Sequence, residues 1–258
     1  MKIAYFDCFS GISGNMIIGA FLDAGLPLDI LHQELSHLNL EEEYQLITKT
    51  VMKLGIKATY FNVELTHHHH HHDHGEHKHH HAHRNLQQIN SIITDSALDQ
   101  KIKDLALQIF ARLGQAEAKV HNCALEEIHF HEVGAIDAII DIVGAAIGYY
   151  YLGIEKVYAS PLHVGSGTVK CAHGIMPIPA PATAEILHGI PIYSSDIKGE
   201  LVTPTGAAII ASICTQFGPL PQITPGQIAY GAGTWDLPIA NAVRLIIGEE
   251  KDLSLIHI

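Results

Sequence analysis

A run of histidines inside the chain limits what this sequence can fold into. Twelve of the 17 residues from 67 to 83 are His, interrupted by Asp73, Gly75, Glu76, Lys78 and Ala82. Such a segment has no apolar face to bury, so it cannot form a packed helix or strand. We therefore predict a disordered loop over residues 67–84, with the core built by residues 1–66 and 85–250 of a single domain.

The same segment predicts metal binding. Neutral imidazoles without a fixed geometry bind late divalent transition metals, with Ni²⁺, Cu²⁺ and Zn²⁺ favoured. An expression tag would lie at a terminus, whereas this segment is internal and contains acids. We interpret it as a loop that gathers metal rather than a site for chemistry, which needs a fixed ligand geometry. Its candidate ligands are His67, His68, His69, His70, His71, His72, His74, His77, His79, His80, His81 and His83.

A second metal-like pattern lies between Glu126 and Gly144. His129 and His131 point to the same side if their segment is extended, and the apolar residues that follow from about Val133 recur at helical spacing. On that helix Asp137 and Asp141 stand four residues apart on one face. No Lys or Arg lies between Glu126 and Asp141.

This pattern has two interpretations. His129 and His131 are candidate metal ligands, and the candidate acid or base groups are Glu132, Asp137 and Asp141. The alternative is an ordinary helix with a solvated acidic stripe.

Composition excludes several classes of protein. A formal charge of −12 with 15 basic residues argues against a nucleic-acid-binding surface. No apolar run reaches the roughly 18 residues of a membrane span. Asp7 stands where a signal peptide would continue its apolar region, so we expect a cytoplasmic protein. The four cysteines form no C-x-x-C pair, which favours reduced thiols.

The sequence predicts a strand over Lys2–Phe6, followed by a Gly/Ser loop and a helix. Free backbone N–H groups at such a helix start can bind an anion, and the candidate residues are Ser10, Gly11, Ser13 and Gly14. A tight turn capped by Ser13 is the alternative. Asp7 and Cys8 follow the strand end and are further candidate metal ligands, although a buried inert thiol is the other interpretation of Cys8.

Two later motifs predict further ligand contacts. Thr203 followed by Pro204 is typical of a helix start, so Thr203, Thr205 and Gly206 form a second candidate anion site. The glycines of a loop over residues 230–236, Gly231 and Gly233, would let a ligand approach the backbone closely.

Strands and helices alternate along the chain, which predicts an α/β fold with a mixed sheet and helices packed on it. We expect the tail 251–258 to be loose. The predicted strands are 2–6, 44–52, 57–65, 156–159, 162–170 and 242–247. The predicted helices end near Ala24, follow Pro27, span 86–94 and 98–120, start near Val133, end near Leu187 and span 203–214. Residues 176–183, with three alternating prolines, are expected to be extended and unable to donate to a ladder.

Several of these motifs occur together in one known family. Residues 6–16, the histidine segment ending His83-Arg84-Asn85-Leu86, and residues 129–137 resemble the N-terminal part of the LarC family of nickel insertion proteins. Residues 177–183, 203–208 and 231–234 extend the resemblance, which runs from Lys2 to about Glu249.

The resemblance implies a CTP-dependent nickel insertase that acts on pyridinium-3,5-bisthiocarboxylic acid mononucleotide. With CTP and Mn²⁺ or Mg²⁺, such a protein inserts Ni²⁺ to complete the nickel-pincer cofactor of lactate racemase, the downstream recipient. The loops described above would then hold the phosphate and thiocarboxylates of the substrate. The apolar composition of the chain separately predicts a homo-oligomer.

Two departures from the family pattern stand out. Asn15 occupies a position where the family usually has Asp, and the C-terminal region associated with CTP binding is absent. The resemblance therefore implies either a companion polypeptide that supplies this region or a truncated or frameshifted product. A nickel store or metallochaperone is the alternative function, and a generic metal-dependent hydrolase ranks last.

Overall fold

A seven-stranded sheet runs through the part of the chain that the computed structural model describes, namely residues 1–66, 84–128, 130, 135–171 and 174–250. The strands in chain order are β1 (Lys2–Asp7), β2 (Tyr44–Lys53), β3 (Ile56–Leu65), β4 (Lys156–Ala159), β5 (Leu162–His163), β6 (Gly165–Ser166), β7 (Thr168–Cys171), β8 (Gly174–Pro177), β9 (Ile192–Tyr193), β10 (Gly199–Glu200), β11 (Cys214–Phe217), β12 (Ile223–Ala232) and β13 (Ala242–Glu250). The helices are α1 (Gly14–Asp23), α2 (Leu28–Ser36), α3 (Leu86–Asp95), α4 (Gln100–His121), α5 (Ile136–Tyr151), α6 (Pro181–Ile186) and α7 (Pro204–Ile213).

The large sheet has the strand order β11-β4-β1-β13-β12-β3-β2. The pairs β11/β4, β4/β1 and β12/β3 are parallel, and the other three are antiparallel. The predicted α/β fold with a mixed sheet is therefore confirmed. The strands predicted over residues 44–52 and 57–65 are also confirmed, and the turn between them places Leu54 and Gly55 at φ of 46° and 85°.

The core forms where α1 packs on β12, β3 and β13 of this sheet and α5 packs against α1. β1 lies between β4 and β13, and its residues Ile3, Ala4 and Phe6 are fully buried. The rings of Phe6 and Phe21 meet edge to face at 5.9 Å, which fixes α1 over β1. The loop after β1 and the start of α1 are thereby held at one edge of the core.

Gly231 lets α1 approach the sheet closely. A Cβ on Gly231 would lie 1.8 Å from the carbonyl oxygen of Met16, so any side chain there would push α1 away. The predicted loop over residues 230–236 is wrong for its first three residues, because they belong to β12.

Several other element predictions were wrong. The strands β11 and β12 were not predicted, and the strand expected over residues 162–170 is broken into β5, β6 and the start of β7. The breaks fall at Val164, directly before Gly165, and at Gly167. The φ values of these glycines, 84° and 94°, interrupt an extended path. Residues 174–177 do pair, as β8 with β7, although Pro177 lies at the strand end, where its missing N–H costs little.

Both ends of the histidine segment are fixed at Glu43. The N–H of Thr66 donates to the Glu43 carbonyl oxygen at 3.0 Å, and the Arg84 guanidinium donates to both Glu43 carboxylate oxygens at 2.6 and 2.7 Å. Residues 67–83, which carry the predicted loop, and the tail 251–258 lie outside the described residues.

None of the helices in the described part of the chain combines the length and apolar character that a membrane crossing requires.

Candidate functional site

The helices α1 and α7 begin side by side. The N–H of Ile12 donates to the Leu201 carbonyl oxygen at 2.9 Å, and the N–H of Thr203 donates to the Ile12 carbonyl oxygen at 3.2 Å. These bonds join the loop after β1 to the segment before α7. Two predicted motifs that are 190 residues apart in sequence therefore share one location.

A third motif meets them from α5. The backbone N–H of Asn15, in the first turn of α1, donates to the carboxylate of Asp141. The carboxylate lies so close to Gly14 that a Cβ there would be 2.4 Å from the Asp141 Oδ2 atom. A protein carboxylate therefore occupies the favourable position for an anion at the α1 N-terminus.

These elements enclose a polar cavity of about 250 Å³, which we call the acid cavity. It contains six of the predicted site residues, drawn from all three motifs. Its lining residues are Ser13, Gly14, Asn15, Asn62, Val63, Asp137, Asp141, Glu200, Thr203, Pro204 and Thr205.

Two further cavities adjoin the acid cavity. The first, about 180 Å³, is bordered by Gly233 and Trp235 and shares Ser13 and Glu200 with the acid cavity. The second, about 360 Å³, lies against the β7–β8 hairpin, and we call it the hairpin cavity. Glu200 lines all three cavities and so stands at their junction.

The two aspartates of α5 differ in depth. Asp137, in the first turn of the helix, is exposed, whereas the Oδ1 atom of Asp141 is buried and has no hydrogen-bond partner among the described residues. Burial raises the pKa of Asp141 well above its ordinary value, the negative charge of Asp137 raises it further, and the hydrogen bond from the Asn15 N–H lowers it. Asp141 therefore holds a proton more tightly than an exposed aspartate does.

The charge of the acid cavity argues against phosphate binding inside it. Asp137, Asp141 and Glu200 line it, and none of its described lining residues is Lys or Arg. The sequence-based expectation of an anion at Ser13, Gly14, Thr203 and Thr205 therefore meets like charge. The arrangement suits a cation or a transferred proton better.

Asp7 is paired with an arginine, and Cys8 is buried. The Asp7 carboxylate accepts a hydrogen bond from the Arg244 guanidinium at 2.5 Å, across the β1–β13 pair. The Cys8 thiol is fully buried, and this burial raises its pKa well above the usual range. Because metal ligation needs the thiolate, the structure favours the inert interpretation of Cys8.

Four other predicted residues line none of the three cavities. The space beside Gly11 is filled by Leu201, that beside Gly206 by Ile12, and that beside Gly231 by Met16. The Ser10 side chain is buried. At the three glycines, close packing of the chain on itself accounts for the missing side chain without a ligand.

The remaining sequence-predicted residues lie outside the described part of the chain. They are His129, His131, Glu132 and the twelve histidines of residues 67–83. Their neighbours Ile128 and Phe130 are 2% and 1% exposed, so both are anchored in the core.

Sequence reasoning missed two polar residues of the acid cavity. Asn62 lies in β3 and Glu200 in the two-residue strand β10, and neither belongs to a motif that spacing could reveal. Only tertiary structure brings them to the site.

His163, another histidine of the sequence, has a structural role. Its Nδ1 is 2.8 Å from the Phe9 carbonyl oxygen, which can only accept, and its Nε2 is 2.9 Å from the Ser195 hydroxyl. The ring also stacks on Tyr193 at 4.7 Å. Both ring nitrogens are therefore satisfied, as is usual for a buried histidine.

Within the described ranges, no three residues among His, Cys, Asp and Glu lie close enough together to hold a metal ion.

Comparison with known proteins gives a consistent result. A model of the family described as nickel insertion protein matches residues 4–257. A protein of Desulfitobacterium hafniense (strain DSM 10664 / DCB-2), named pyridinium-3,5-bisthiocarboxylic acid mononucleotide nickel insertion protein, is 54% identical over 253 residues, which cover 98% of this chain and 60% of that protein. No solved structure matches the chain.

Two further relatives agree. A Clostridium kluyveri protein with the same name is 47% identical over 251 residues, covering 97% of this chain and 63% of that protein. A putative nickel insertion protein of Geobacter sp. (strain M21) is 48% identical over 253 residues, covering 98% of this chain and 63% of that protein. The chain therefore spans 60–63% of the length of these relatives.

Proposed function

The chain belongs to the nickel insertion protein family, and on that premise we propose that it carries the metal-inserting site of a nickel insertase. The substrate is pyridinium-3,5-bisthiocarboxylic acid mononucleotide, the compound in the names of its relatives, and the product is the nickel-pincer cofactor of lactate racemase. The observation that carries this proposal is the convergence of three distant motifs on the acid cavity.

The reaction needs a base at the carbon that receives nickel. Formation of the carbon–nickel bond breaks a carbon–hydrogen bond, and the proton leaves without any change in oxidation state. Asp141 is our candidate acceptor, because its raised pKa makes its carboxylate a stronger base than an exposed aspartate. Asp137, one helical turn away, favours the protonated form of Asp141 once the proton is transferred.

Nickel, the second substrate, requires nitrogen or sulfur ligands during transfer. We assign this role on sequence grounds to His129 and His131, with Glu132 beside them as a further acid or base. Their chain neighbour Phe130 is buried in the core, and Asp137 follows a few residues later in α5. The thiocarboxylate sulfurs of the mononucleotide supply the sulfur–nickel bonds.

The proposal includes CTP, with Mn²⁺ or Mg²⁺, as the activating nucleotide. We assign CTP binding to the part of the relatives that this chain does not match. That part, added as a separate polypeptide, should make insertion depend on CTP.

The test is a nickel insertion assay with the chain, the substrate, Ni²⁺, CTP and the C-terminal part of a full-length relative. Asp141→Asn should lower the rate by about 10²–10⁴-fold, the usual contribution of a positioned base. His129→Ala and His131→Ala should abolish insertion at limiting nickel. Asp29→Asn and His188→Ala, on exposed positions that line none of the three cavities, serve as matched controls. Full activity of the three site variants would overturn the proposal.

A nickel store is the alternative, and the histidine segment is the feature that favours it. Because Thr66 and Arg84 both bind Glu43, a short Gly/Ser linker can replace residues 67–83 without separating these anchors. If the chain is an insertase, the deletion lowers the number of nickel ions bound but leaves insertion intact at abundant nickel. If the chain is a store, the deletion abolishes its function altogether.

A further inference from the structure

The hairpin cavity is the largest of the three adjoining cavities, and the proposed reaction does not use it. It lies between the C-terminal end of α4, the β7–β8 hairpin and the start of α6, and its volume is about 360 Å³. Most of its lining is apolar, with Val120, Val169, Met176 and Pro181 as examples. It meets the acid cavity at Glu200 and Pro204, which line both.

The acid cavity and the hairpin cavity differ in how much of the mononucleotide they can hold. Sites for small molecules occupy about 300–1,000 Å³. The acid cavity, at about 250 Å³, is too small for a whole mononucleotide, whereas the hairpin cavity reaches that range. A mononucleotide whose ring reacts in the acid cavity must therefore extend into a neighbouring space.

The charges of the lining residues indicate which end of the mononucleotide lies in which cavity. The acid cavity presents Asp137, Asp141 and Glu200, which repel a phosphate but attract a cationic pyridinium ring. Glu117 and Glu200 line the hairpin cavity too, but it also contains Lys170 of β7, the one Lys or Arg among the described residues that line the three cavities. Lys170 therefore offers a phosphate the one lysine or arginine partner in these three linings. A lysine ammonium is a common phosphate ligand.

We propose that the hairpin cavity holds the ribose-phosphate end of the mononucleotide, with the phosphate at Lys170 and the pyridinium ring directed past Glu200 and Pro204 into the acid cavity. This inference rests on the proposed function, since it assigns an orientation to the same substrate. It makes Met176, Lys170 and Glu200 binding residues, a role that no sequence motif indicates.

The test measures binding rather than insertion. The probes are nicotinic acid mononucleotide, which has the pyridinium ring, ribose and phosphate, and nicotinic acid riboside, which lacks the phosphate. Isothermal titration of the whole chain with both probes compares three variants. Met176→Trp fills the hairpin cavity, Lys170→Gln removes the positive charge, and Ile175→Trp is the matched control, because Ile175 is 74% exposed on the same hairpin and does not line the cavity.

We expect Met176→Trp to weaken binding of both probes at least tenfold, with Ile175→Trp within twofold of the wild-type chain. Lys170→Gln should weaken the mononucleotide about tenfold and leave the riboside unchanged. Equal losses of the two probes in Lys170→Gln, or unchanged binding in both Met176→Trp and Lys170→Gln, would overturn the proposed orientation. If Met176→Trp does not fold, the Lys170→Gln comparison decides alone.

Separate measurements of binding and of insertion distinguish this inference from the proposed function. If the wild-type chain inserts nickel but Lys170→Gln loses equal affinity for the two probes, the orientation fails and the proposed function stands. If the wild-type chain shows the expected binding pattern but inserts no nickel under any condition, the proposed function fails and the orientation stands.

Discussion

The helices α1 and α7 start at the same cavity, but their first turns are stabilised in different ways. At α7 the cap is local, because the Thr203 hydroxyl oxygen accepts a hydrogen bond from the Gly206 N–H at 3.1 Å and Pro204 follows it. At α1 the Ser13 hydroxyl instead donates to the Asn15 side-chain oxygen at 2.5 Å. The Asn15 N–H is bound by Asp141 of α5.

This difference shows how the site is assembled. The start of α7 depends on four consecutive residues, whereas the start of α1 depends on the position of another helix. The α1–α5 contact combines a helix N-terminus with a buried carboxylate. Burial raises the pKa of Asp141, and the same bond that caps α1 lowers that pKa in part. Changes at α1 should therefore disturb stability and chemistry together, and changes at α7 mainly stability.

The largest effect is expected from Gly14→Ala. The new Cβ would lie 2.4 Å from Asp141 Oδ2 and 2.6 Å from Asp141 Cβ, so α1 and α5 must separate. Overpacking of this kind typically costs about 1–3 kcal/mol, and we expect the upper end. Chemical denaturation of the variant and wild type measures it.

Gly226→Ala is the matched control, because its added Cβ would meet no described atom nearer than the Ile247 carbonyl oxygen at 3.7 Å. It should change the free energy of unfolding by less than about 0.5 kcal/mol. Equal stability of the Gly14 and Gly226 variants would show that α1 and α5 are not in close contact.

The second prediction concerns pH. Because the pKa of Asp141 is raised in the folded chain, the folded state binds this proton more tightly than the unfolded state, whose aspartate titrates near pH 3.9. The charged form therefore destabilises the fold increasingly as pH rises from about 4 to the raised pKa, and fully above it. Each tenfold increase in proton affinity corresponds to about 1.4 kcal/mol.

Asp141→Asn removes this titration and keeps an oxygen that can accept from the Asn15 N–H. Its stability relative to wild type should rise between pH 4.5 and pH 8, as measured by denaturant unfolding at several pH values. A difference between the two proteins that stays constant over this range would contradict a raised pKa at Asp141.

A smaller effect is expected from Thr203→Ala, which removes the local cap of α7. The loss of such a cap typically costs about 1 kcal/mol, independent of pH between 5 and 8. Thr203→Ser, which keeps the hydroxyl, should restore most of the stability. Thermal unfolding of the two variants measures this, and equal losses in both would show that the hydroxyl is not the cap.

The smallest effect is expected from Ser13→Ala. The Ser13 hydroxyl contacts another side chain and does not cap α1, so the unfolding free energy should change by less than about 0.5 kcal/mol. A loss as large as that of Thr203→Ala would mean that both helices use local caps and would remove the contrast between them.

The parts of the site that sequence predicted are local in origin. Thr203-Pro204 predicts the start of α7, and the i, i+4 spacing of Asp137 and Asp141 predicts that both face one side of α5; both line the acid cavity. Signals of this kind depend on a few consecutive residues, which is why they can be read without a structure.

The parts that sequence did not predict depend on tertiary contacts. β12 contains Pro225, Gly226 and Gly231, which disfavour a strand, yet its pairing with β13 and β3 holds it extended. The engagement of Asp7 by Arg244 and the approach of Asp141 to Gly14 each join residues more than 100 positions apart. Nothing in the local pattern around Asp7 or Asp141 indicates these partners.

The most direct test of Asp141 as the proton acceptor is the pH dependence of nickel insertion by the wild-type chain and Asp141→Asn, with the C-terminal part of a relative and saturating nickel present. The wild-type rate should rise with pH through one ionisation above the ordinary aspartate range and then level off. The variant should be at least about 100-fold slower and should lack that ionisation. A folded Asp141→Asn chain that inserts nickel at the wild-type rate, with the same pH profile, would contradict this account.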